Sequence, residues 1–376
     1  MARLFSDACA SVTDPHLRRA CALAEGGRGT TSPNPVVGCV LMRDGKVVGE
    51  GFHWRAGGPH AEAVALASAG ESARGATACV TLEPCTHHGR TAPCAEALVR
   101  AGVTRVLIGM GDPNPGVKGG GAAALRAAGV EVEFVADPSP FEEQLLEWTT
   151  FVQSGRPFVR VKIAVTLDGH PALAPGVRSQ LTGQGASEVT MRLRRAADAV
   201  AAGAGTVAVD DPSLTARSPE GDPDARQPLR VVLVRTTPPP ASARLFRDGR
   251  GPVAVLQPAE TDADPEIVAS GAGILTYPVA EGLGGALATL GREGVASLLV
   301  ESGPRLLSAL MDEDLIDELV LYHAGGMAGD GAPALFVGES QTDEATLFRR
   351  MRAVEAGLAG SDAVTVWRRV DAIEGD

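Results

Sequence analysis

The sequence predicts an α/β protein made of two successive α/β units, the first of three-layer type. Three observations carry that expectation. Apolar segments of strand length alternate with segments of helical periodicity along almost the whole chain. The alternation breaks at Ser154-Gly155-Arg156-Pro157, a run of turn residues that divides the chain into expected domains 1–153 and 154–376. The length of 376 residues, 44% of them hydrophobic, leaves room for two or three full cores.

In the first unit Asp14-Pro15 reads as a helix cap and first position, opening a helix to about Gly26. Val36–Met42 and Lys46–Gly51 flank Asp44-Gly45, the signature of a type I′ hairpin. A helix follows over Ala61–Ala69, a strand over Ala76–Leu82 and a helix over Pro93–Ala101, stopped by Gly102. Arg105–Met110 is a buried strand, Gly121–Ala128 a helix and Val130–Val135 a last strand, giving about five strands. Pro138–Val152 reads as an amphipathic connecting helix.

In the second unit strands are expected at Phe158–Leu167, Ala199–Ala202, Leu229–Arg235, Val253–Leu256, Gly273–Val279, Ser297–Glu301, Glu318–Tyr322 and Ala363–Val370. Helices are expected near Ala186–Arg195, Gly284–Arg292 and Pro304–Met311, with loops at Ser218–Gln227 and Thr237–Ala243.

Composition narrows the function. A formal net charge of −12 with only Lys46, Lys118 and Lys162 as lysines argues against a nucleic-acid partner. No apolar run reaches the ~18–20 residues of a membrane helix, and the start of the chain has no apolar signal region. A cytoplasmic location, a small-molecule substrate and a homo-oligomeric state are expected. All six cysteines (Cys9, Cys21, Cys39, Cys79, Cys85, Cys94) lie in the first quarter of the chain. A disulfide framework is not expected, and Cys9, Cys21, Cys39 and Cys79 read as buried small hydrophobes.

Cys85 and Cys94 stand among prolines and histidines, and they carry the chemistry. His60-Ala61-Glu62 opens the second helix, and Pro84-Cys85 and Cys94 follow the next strand. One His and two Cys form a three-ligand set for Zn²⁺ that leaves a fourth tetrahedral position for water, whose pKa such a metal lowers. Glu62, two residues from a ligand, is placed to shuttle a proton as the catalytic residue. H-x-E followed by P-C…C is the pattern of zinc nucleobase deaminases, although eight residues separate the cysteines here instead of two. A closed structural site would need a fourth ligand from His53, His87 or His88.

The flanking runs sharpen this. Pro33-Asn34-Pro35-Val36-Val37-Gly38, Gly51-Phe52-His53, Ala56-Gly57-Gly58-Pro59, the long run Thr81–Cys94 and Asp112-Pro113-Asn114-Pro115 closely resemble the deaminase half of the bifunctional deaminase–reductase family of riboflavin biosynthesis. The resemblance covers about residues 10–150. It implies a cytidine-deaminase-like three-layer α/β/α fold, zinc on His60, Cys85 and Cys94, a diamino-pyrimidinone substrate carrying a phosphoribosylamino group, and Asn34 as a contact to the ring. His87, His88 and Arg90 are further contacts or loop supports.

The second unit speaks less clearly by itself. Gly203-Ala204-Gly205-Thr206-Val207-Ala208 fits a dinucleotide loop only loosely, with no acidic residue ending the next strand. Arg235-Thr236-Thr237 suits a 2′-phosphate, and Val300-Glu301-Ser302-Gly303-Pro304 runs from strand to helix, where a pyrophosphate can sit. Val161–Gly169, Ala197–Val200, Val209–Arg217, Val300–Gly303 and Leu315–Leu319 resemble the reductase half of the same family. That resemblance implies a dihydrofolate-reductase-like α/β fold that uses NADPH to open and reduce the ribosyl group. It places Ala164, Gln180, Thr206, Asp210, Ser302, Gly303 and Pro304 at the cofactor, and Lys162, Arg178, Arg194, Leu214, Arg217 and Glu301 at the substrate. Arg194 and Arg217 suit a phosphate chemically. Three runs depart from the family pattern: Gln180 stands where a tryptophan is usual, Val234-Arg235 where Asp-Ser is usual, and His323–Met327 where a proline, a basic residue and a glycine turn are usual. These departures motivate a second reading, an active deaminase joined to a degenerate or repurposed reductase-like domain.

Overall fold

The computed structural model describes residues 4, 8–86, 93–115, 120–218, 222, 224, 226–338 and 351–370. The chain divides into two units, Met1–Gly155 and Arg156–Asp376.

In the first unit the Asp14 carboxylate accepts the amide hydrogens of His16 and Leu17 and so caps α1 (Pro15–Ala24). β1 (Gly38–Arg43) and β2 (Lys46–Phe52) pair antiparallel around a turn in which Asp44 and Gly45 have φ of 49° and 72°, as a type I′ turn requires. Then come α2 (Ala61–Ala69), β3 (Thr77–Leu82), α3 (Cys94–Ala101), β4 (Arg105–Met110), α4 (Gly121–Ala127), β5 (Glu131–Phe134) and α5 (Ser139–Ser154). The sheet order is β2-β1-β3-β4-β5, antiparallel as far as β3 and parallel beyond it. Strand alternation sends Cys39, Leu41, Ala78 and Val80 toward α2, α3 and α4. Val40 and Cys79 face the other way, under Leu17 and Cys21 of α1 and Phe141 and Leu145 of α5. Helices on both faces make the expected three layers. Leu98, Ile108 and Leu125 are fully buried between them, each contributing about 1.5–3 kcal/mol.

The expectation for two cysteines fails here. Cys9, in a short turn before α1, and Cys21, on α1, form a disulfide. Twelve residues of separation hid a pairing that only the fold-back of the chain onto α1 creates. Cys39 and Cys79 are buried free thiols, as expected.

The second unit runs β6 (Phe158–Val165), α6 (Gln184–Ala196), β7 (Ala199–Gly203), α7 (Ala204–Asp210), β8 (Leu229–Leu233), β9 (Val253–Pro258), α8 (Pro265–Ala269), β10 (Gly273–Tyr277), α9 (Gly282–Arg292), β11 (Ser297–Glu301), α10 (Pro304–Asp312), β12 (Glu318–His323), β13 (Met351–Ala359) and β14 (Asp362–Arg369). The order is β10-β9-β8-β7-β11-β6-β12-β14-β13. Strands β10 to β12 in that order are parallel, and the β13–β14 hairpin closes the sheet antiparallel. Parallel pairing aligns the carboxyl ends of the strands along one edge, where ligands bind in open α/β sheets. Next to that core, Glu318 on β12 pairs with Arg160 of β6 and Arg368 of β14, its two cross-strand neighbours.

Three elements were not expected. The glycine-rich run after β7 is helical as α7, because Gly203 caps it instead of only turning the chain. The five-residue α8 starts at an Asp264 cap that sequence reading passed over. β13 is an edge strand whose weak alternation of exposure gives little periodicity to read. Among the described residues no helix is long and apolar enough to cross a membrane.

Candidate functional site

In the first unit the candidate site lies where two helices begin. His60 caps α2 in an extended conformation, and Cys94 is the first residue of α3. α2 sits this close to the hairpin only because Gly51 has no side chain: a Cβ there would fall 2.5 Å from the Ala61 carbonyl oxygen. Gly121, at the start of α4, allows an equally close approach, since its Cβ would lie 1.9 Å from the Pro84 oxygen. The neighbouring Ala122 amide donates to the Glu83 carboxylate at 2.8 Å, so both contacts brace the segment leading to Cys85.

These elements bring His60, Cys85 and Cys94 together. His60 Nδ1 lies 3.3 Å from Cys94 Sγ and 3.6 Å from Cys85 Sγ. Ligand atoms around a tetrahedral zinc with the usual bond lengths stand about 3.5 Å apart. Among the described residues this is the one cluster of metal-ligating side chains, all ligand atoms within 4.8 Å of one another. The set therefore fits zinc. The Cys94 amide donates to Cys85 Sγ at 3.4 Å. Hydrogen bonding between the two thiols pulls the Cys85 pKa down and pushes that of Cys94 up.

Glu62 follows in the first turn of α2, 3% exposed. Burial raises its pKa, which favours a carboxyl able to hold a proton. His53 is not a fourth ligand: its Nδ1 donates to the Pro59 carbonyl at 2.9 Å, and Asn34 Nδ2 lies 3.2 Å from its Nε2. With Nδ1 donating to a carbonyl, Nε2 accepts from the Asn34 amide, and burial lowers the His53 pKa in the same sense. His53 thus connects the expected ring contact Asn34 to the metal side, its ring 5.4 Å from that of His60. His87, His88 and Arg90 lie outside the described residues.

The second candidate site lies at the carboxyl edge of the parallel sheet. Lys162 on β6 is the register partner of Glu301, the last residue of β11. Arg194 on α6 grips Glu301 at two points, 2.6 and 3.0 Å, and donates to the Thr215 carbonyl at 2.8 Å. Burial raises the Glu301 pKa, but the Arg194 charge and hydrogen bonds outweigh it and hold the group ionised. Burial lowers the pKa of Lys162, whose Nζ stands 5.0 Å from the centroid of the Tyr322 ring. With its guanidinium spent on Glu301 and Thr215, Arg194 is placed to orient a carboxylate, and Arg217 keeps its guanidinium without an ion pair among the described residues.

α7 and α10 both start at this edge, after Gly203 and Gly303. A Cβ on Gly303 would lie 3.3 Å from Thr206 Oγ1. The Ser302 hydroxyl is buried without a hydrogen-bond partner among the described residues. Two helix starts, bare glycines and an orphaned hydroxyl make a cradle that fits the pyrophosphate of NADPH. Pro304 is the first residue of α10, and Ala164 lies beside Tyr322 in the register. Thr206 and Asp210 share one face of α7, where burial raises the Asp210 pKa and the Arg178 charge opposes it. Leu214 is 1% exposed, its side chain buried.

The departing positions make local contacts. Gln180, exposed, donates from Nε2 to the Thr182 carbonyl. The Val234 carbonyl accepts from the Tyr277 hydroxyl at 3.0 Å. His323 Nε2 lies 3.1 Å from Thr365 Oγ1, and the Gly326 carbonyl accepts from the Leu167 amide.

Fold and site thus define a zinc deaminase domain joined to a nucleotide-dependent reductase domain. Residues 11–110 match the cytidine and deoxycytidylate deaminase zinc-binding region, and residues 157–365 match the RibD C-terminal domain. The riboflavin biosynthesis protein RibD of Aquifex aeolicus is 36% identical over 354 residues, covering 94% of this chain and 98% of that protein. RibD of Escherichia coli is 40% identical over 341 residues, 85% of this chain and 89% of that one. The solved structure of Acinetobacter baumannii RibD (form 1) superposes with a TM-score of 0.84 at 36% identity, covering 95% of this chain and 98% of that one. The chain belongs to the RibD family, the bifunctional deaminase–reductases of riboflavin biosynthesis. Its cofactors are zinc for the first half and NADPH for the second. The second half matches the family's reductase domain.

Proposed function

We propose that this chain deaminates 2,5-diamino-6-(5-phosphoribosylamino)pyrimidin-4(3H)-one and then reduces its ribosyl side chain to ribityl. The similar Thermotoga maritima structure (32% identity, TM-score 0.80, covering 94% of this chain and 98% of that one) is titled a diaminohydroxyphosphoribosylaminopyrimidine deaminase/5-amino-6-(5-phosphoribosylamino)uracil reductase. The observation that carries the reading is the His60–Cys85–Cys94 cluster with Glu62 buried beside it.

His60, Cys85 and Cys94 would hold zinc, which when bound supplies a water that is nucleophilic at neutral pH. The Glu62 carboxylate takes a proton from the attacking water and returns it to the amine nitrogen that leaves as ammonia. Asn34, oriented by His53, meets the pyrimidinone ring. In the second half Thr206, Asp210, Ser302, Gly303 and Pro304 would hold NADPH, which supplies the hydride, with Ala164 and Gln180 at the nicotinamide side. Lys162, its proton loosened by burial, stands beside Glu301 to protonate the sugar oxygen as the ring opens. Arg217 takes the phosphate, Arg194 orients Glu301, and Leu214 and Arg178 border the substrate.

A homo-oligomer in the cytoplasm belongs to the same reading. Size-exclusion chromatography with light scattering tests the assembly. Alkylation of protein from freshly lysed cells reads whether the Cys9–Cys21 disulfide is closed there. The decisive experiment follows ammonia release and NADPH oxidation together on the zinc-loaded protein. Equal amounts of both support the proposal, and ammonia without NADPH loss sinks its second half.

A further inference from the structure

The segment between α7 and β8 carries two residues assigned to the substrate, Leu214 and Arg217. Its path is strained, because Asp211 and Leu214, neither of them glycine, have φ of 43° and 53°. Such a loop keeps its shape only if its backbone groups are tied. The Thr215 carbonyl accepts from Arg194 at 2.8 Å, and Ala216 exchanges two hydrogen bonds with the Gln227 amide at 2.8 and 2.9 Å. The front of the loop is tied by Arg230 on β8. Arg230 Nη1 donates to the Ser213 carbonyl at 3.2 Å and to both Asp248 oxygens at 2.8 and 2.9 Å. Its Nη2 donates to the Gly251 carbonyl at 2.6 Å.

This guanidinium is completely buried, with a side-chain exposure of 0%. A buried ion pair adds little net stability over well-packed apolar residues. Its planar fork does something an apolar side chain cannot: it holds two carbonyls and a carboxylate at set angles. Asp211 accepts the Arg244 amide at 2.7 Å, so the 244–251 segment and the substrate loop are clamped together at two points, there and through Arg230; within the segment Asp248 also accepts the Arg250 amide at 3.0 Å. Arg250 and Arg244 thereby come near enough to Arg217 for their charges, after burial and that of Arg194, to depress its pKa. That neighbourhood suits a multiply charged anion.

We propose that Arg230 is a positioning residue of the reductase half. By holding the Ser213 carbonyl against the 248–251 turn, it sets the path of residues 213–217 and so the point at which Arg217 meets the substrate phosphate. The proposal rests on reading Arg217 as the phosphate ligand.

The test uses the full-length, zinc-loaded enzyme and 5-amino-6-(5-phosphoribosylamino)uracil, with its dephosphorylated counterpart as the second substrate. R230K keeps the charge but reaches fewer acceptors, and R230M/D248N removes both charges so that no carboxylate is stranded. Ammonia release from 2,5-diamino-6-(5-phosphoribosylamino)pyrimidin-4(3H)-one, assayed separately, and NADPH affinity report folding of the two halves. In the wild type, loss of the phosphate should raise KM at least tenfold. In a folded variant, KM for the phosphorylated substrate should rise about tenfold with kcat within threefold and NADPH affinity within twofold, and the preference for the phosphate should shrink. An unchanged phosphate preference overturns the proposal. So does an equal rise of KM for both substrates, or failure of both variants to bind NADPH while deaminase activity persists, since Arg230 would then serve folding alone. A wild type that oxidises no NADPH, or ignores the phosphate, refutes the underlying reading instead.

Discussion

Arg194 holds Glu301 across 107 residues of chain, with Nε 2.6 Å from Oε1 and Nη2 3.0 Å from Oε2. The pair is nearly buried, and Lys162 stands next to Glu301 on the neighbouring strand. Arg194→Gln would strand a carboxylate in that environment. The expected cost is about 3–5 kcal/mol in the unfolding of the reductase unit, read by denaturant titration, together with loss of NADPH oxidation. Ammonia release should persist, and a variant that reduces at the wild-type rate would show that the pair has no part in the site.

Glu62→Gln keeps size and hydrogen bonding but removes the proton carrier. Ammonia release should fall by about 10²–10⁴-fold, while zinc content, measured by atomic absorption, and NADPH oxidation on the deaminated substrate stay unchanged. Retained deamination would remove Glu62 from the chemistry.

Zinc ties the start of α2 to the start of α3 through His60, Cys85 and Cys94. Its removal should loosen the first unit, since the energy of metal binding is also energy of folding. Calorimetry after treatment with a strong chelator should show the transition of the first unit at lower temperature and that of the second unit unmoved. A first transition that does not shift, with metal loss confirmed, counts against the site.

Acid should weaken the first unit through Glu25. Burial pushes its carboxyl up, but hydrogen bonds and charge from Arg28, helped by Gln144, prevail and hold it at about 2 against an ordinary 4.5. A depressed carboxylate contributes stability above its unfolded value and loses it as pH falls through the folded one. The contribution should therefore be full above about 4.5 and fade toward about 2. Glu25→Gln should flatten that part of the stability–pH curve, measured by urea titration at each pH, and an unchanged slope would assign the acid sensitivity elsewhere.

Much of this was legible in order along the chain. The Asp14 cap, the Asp44-Gly45 turn, α2 and β4 depend on neighbours within a few residues, and local propensity decides them. The zinc set was legible too, because a metal needs particular atoms and the pattern H-x-E with P-C…C names them. What the tertiary structure decided were relationships with no local signal. The disulfide between Cys9 and Cys21 arises where the first turn folds onto α1. The neutral His53 between Asn34 and the Pro59 carbonyl depends on a strand end meeting two loops. Arg194 read as a phosphate ligand by residue type, yet its fork is taken up by Glu301 and Thr215, and buried Arg230 drew no notice at all. A sequence states which charges exist. Only the packed fold states which of them are left without a partner, because burial makes an unpaired charge costly and drives each one to the nearest acceptor in space.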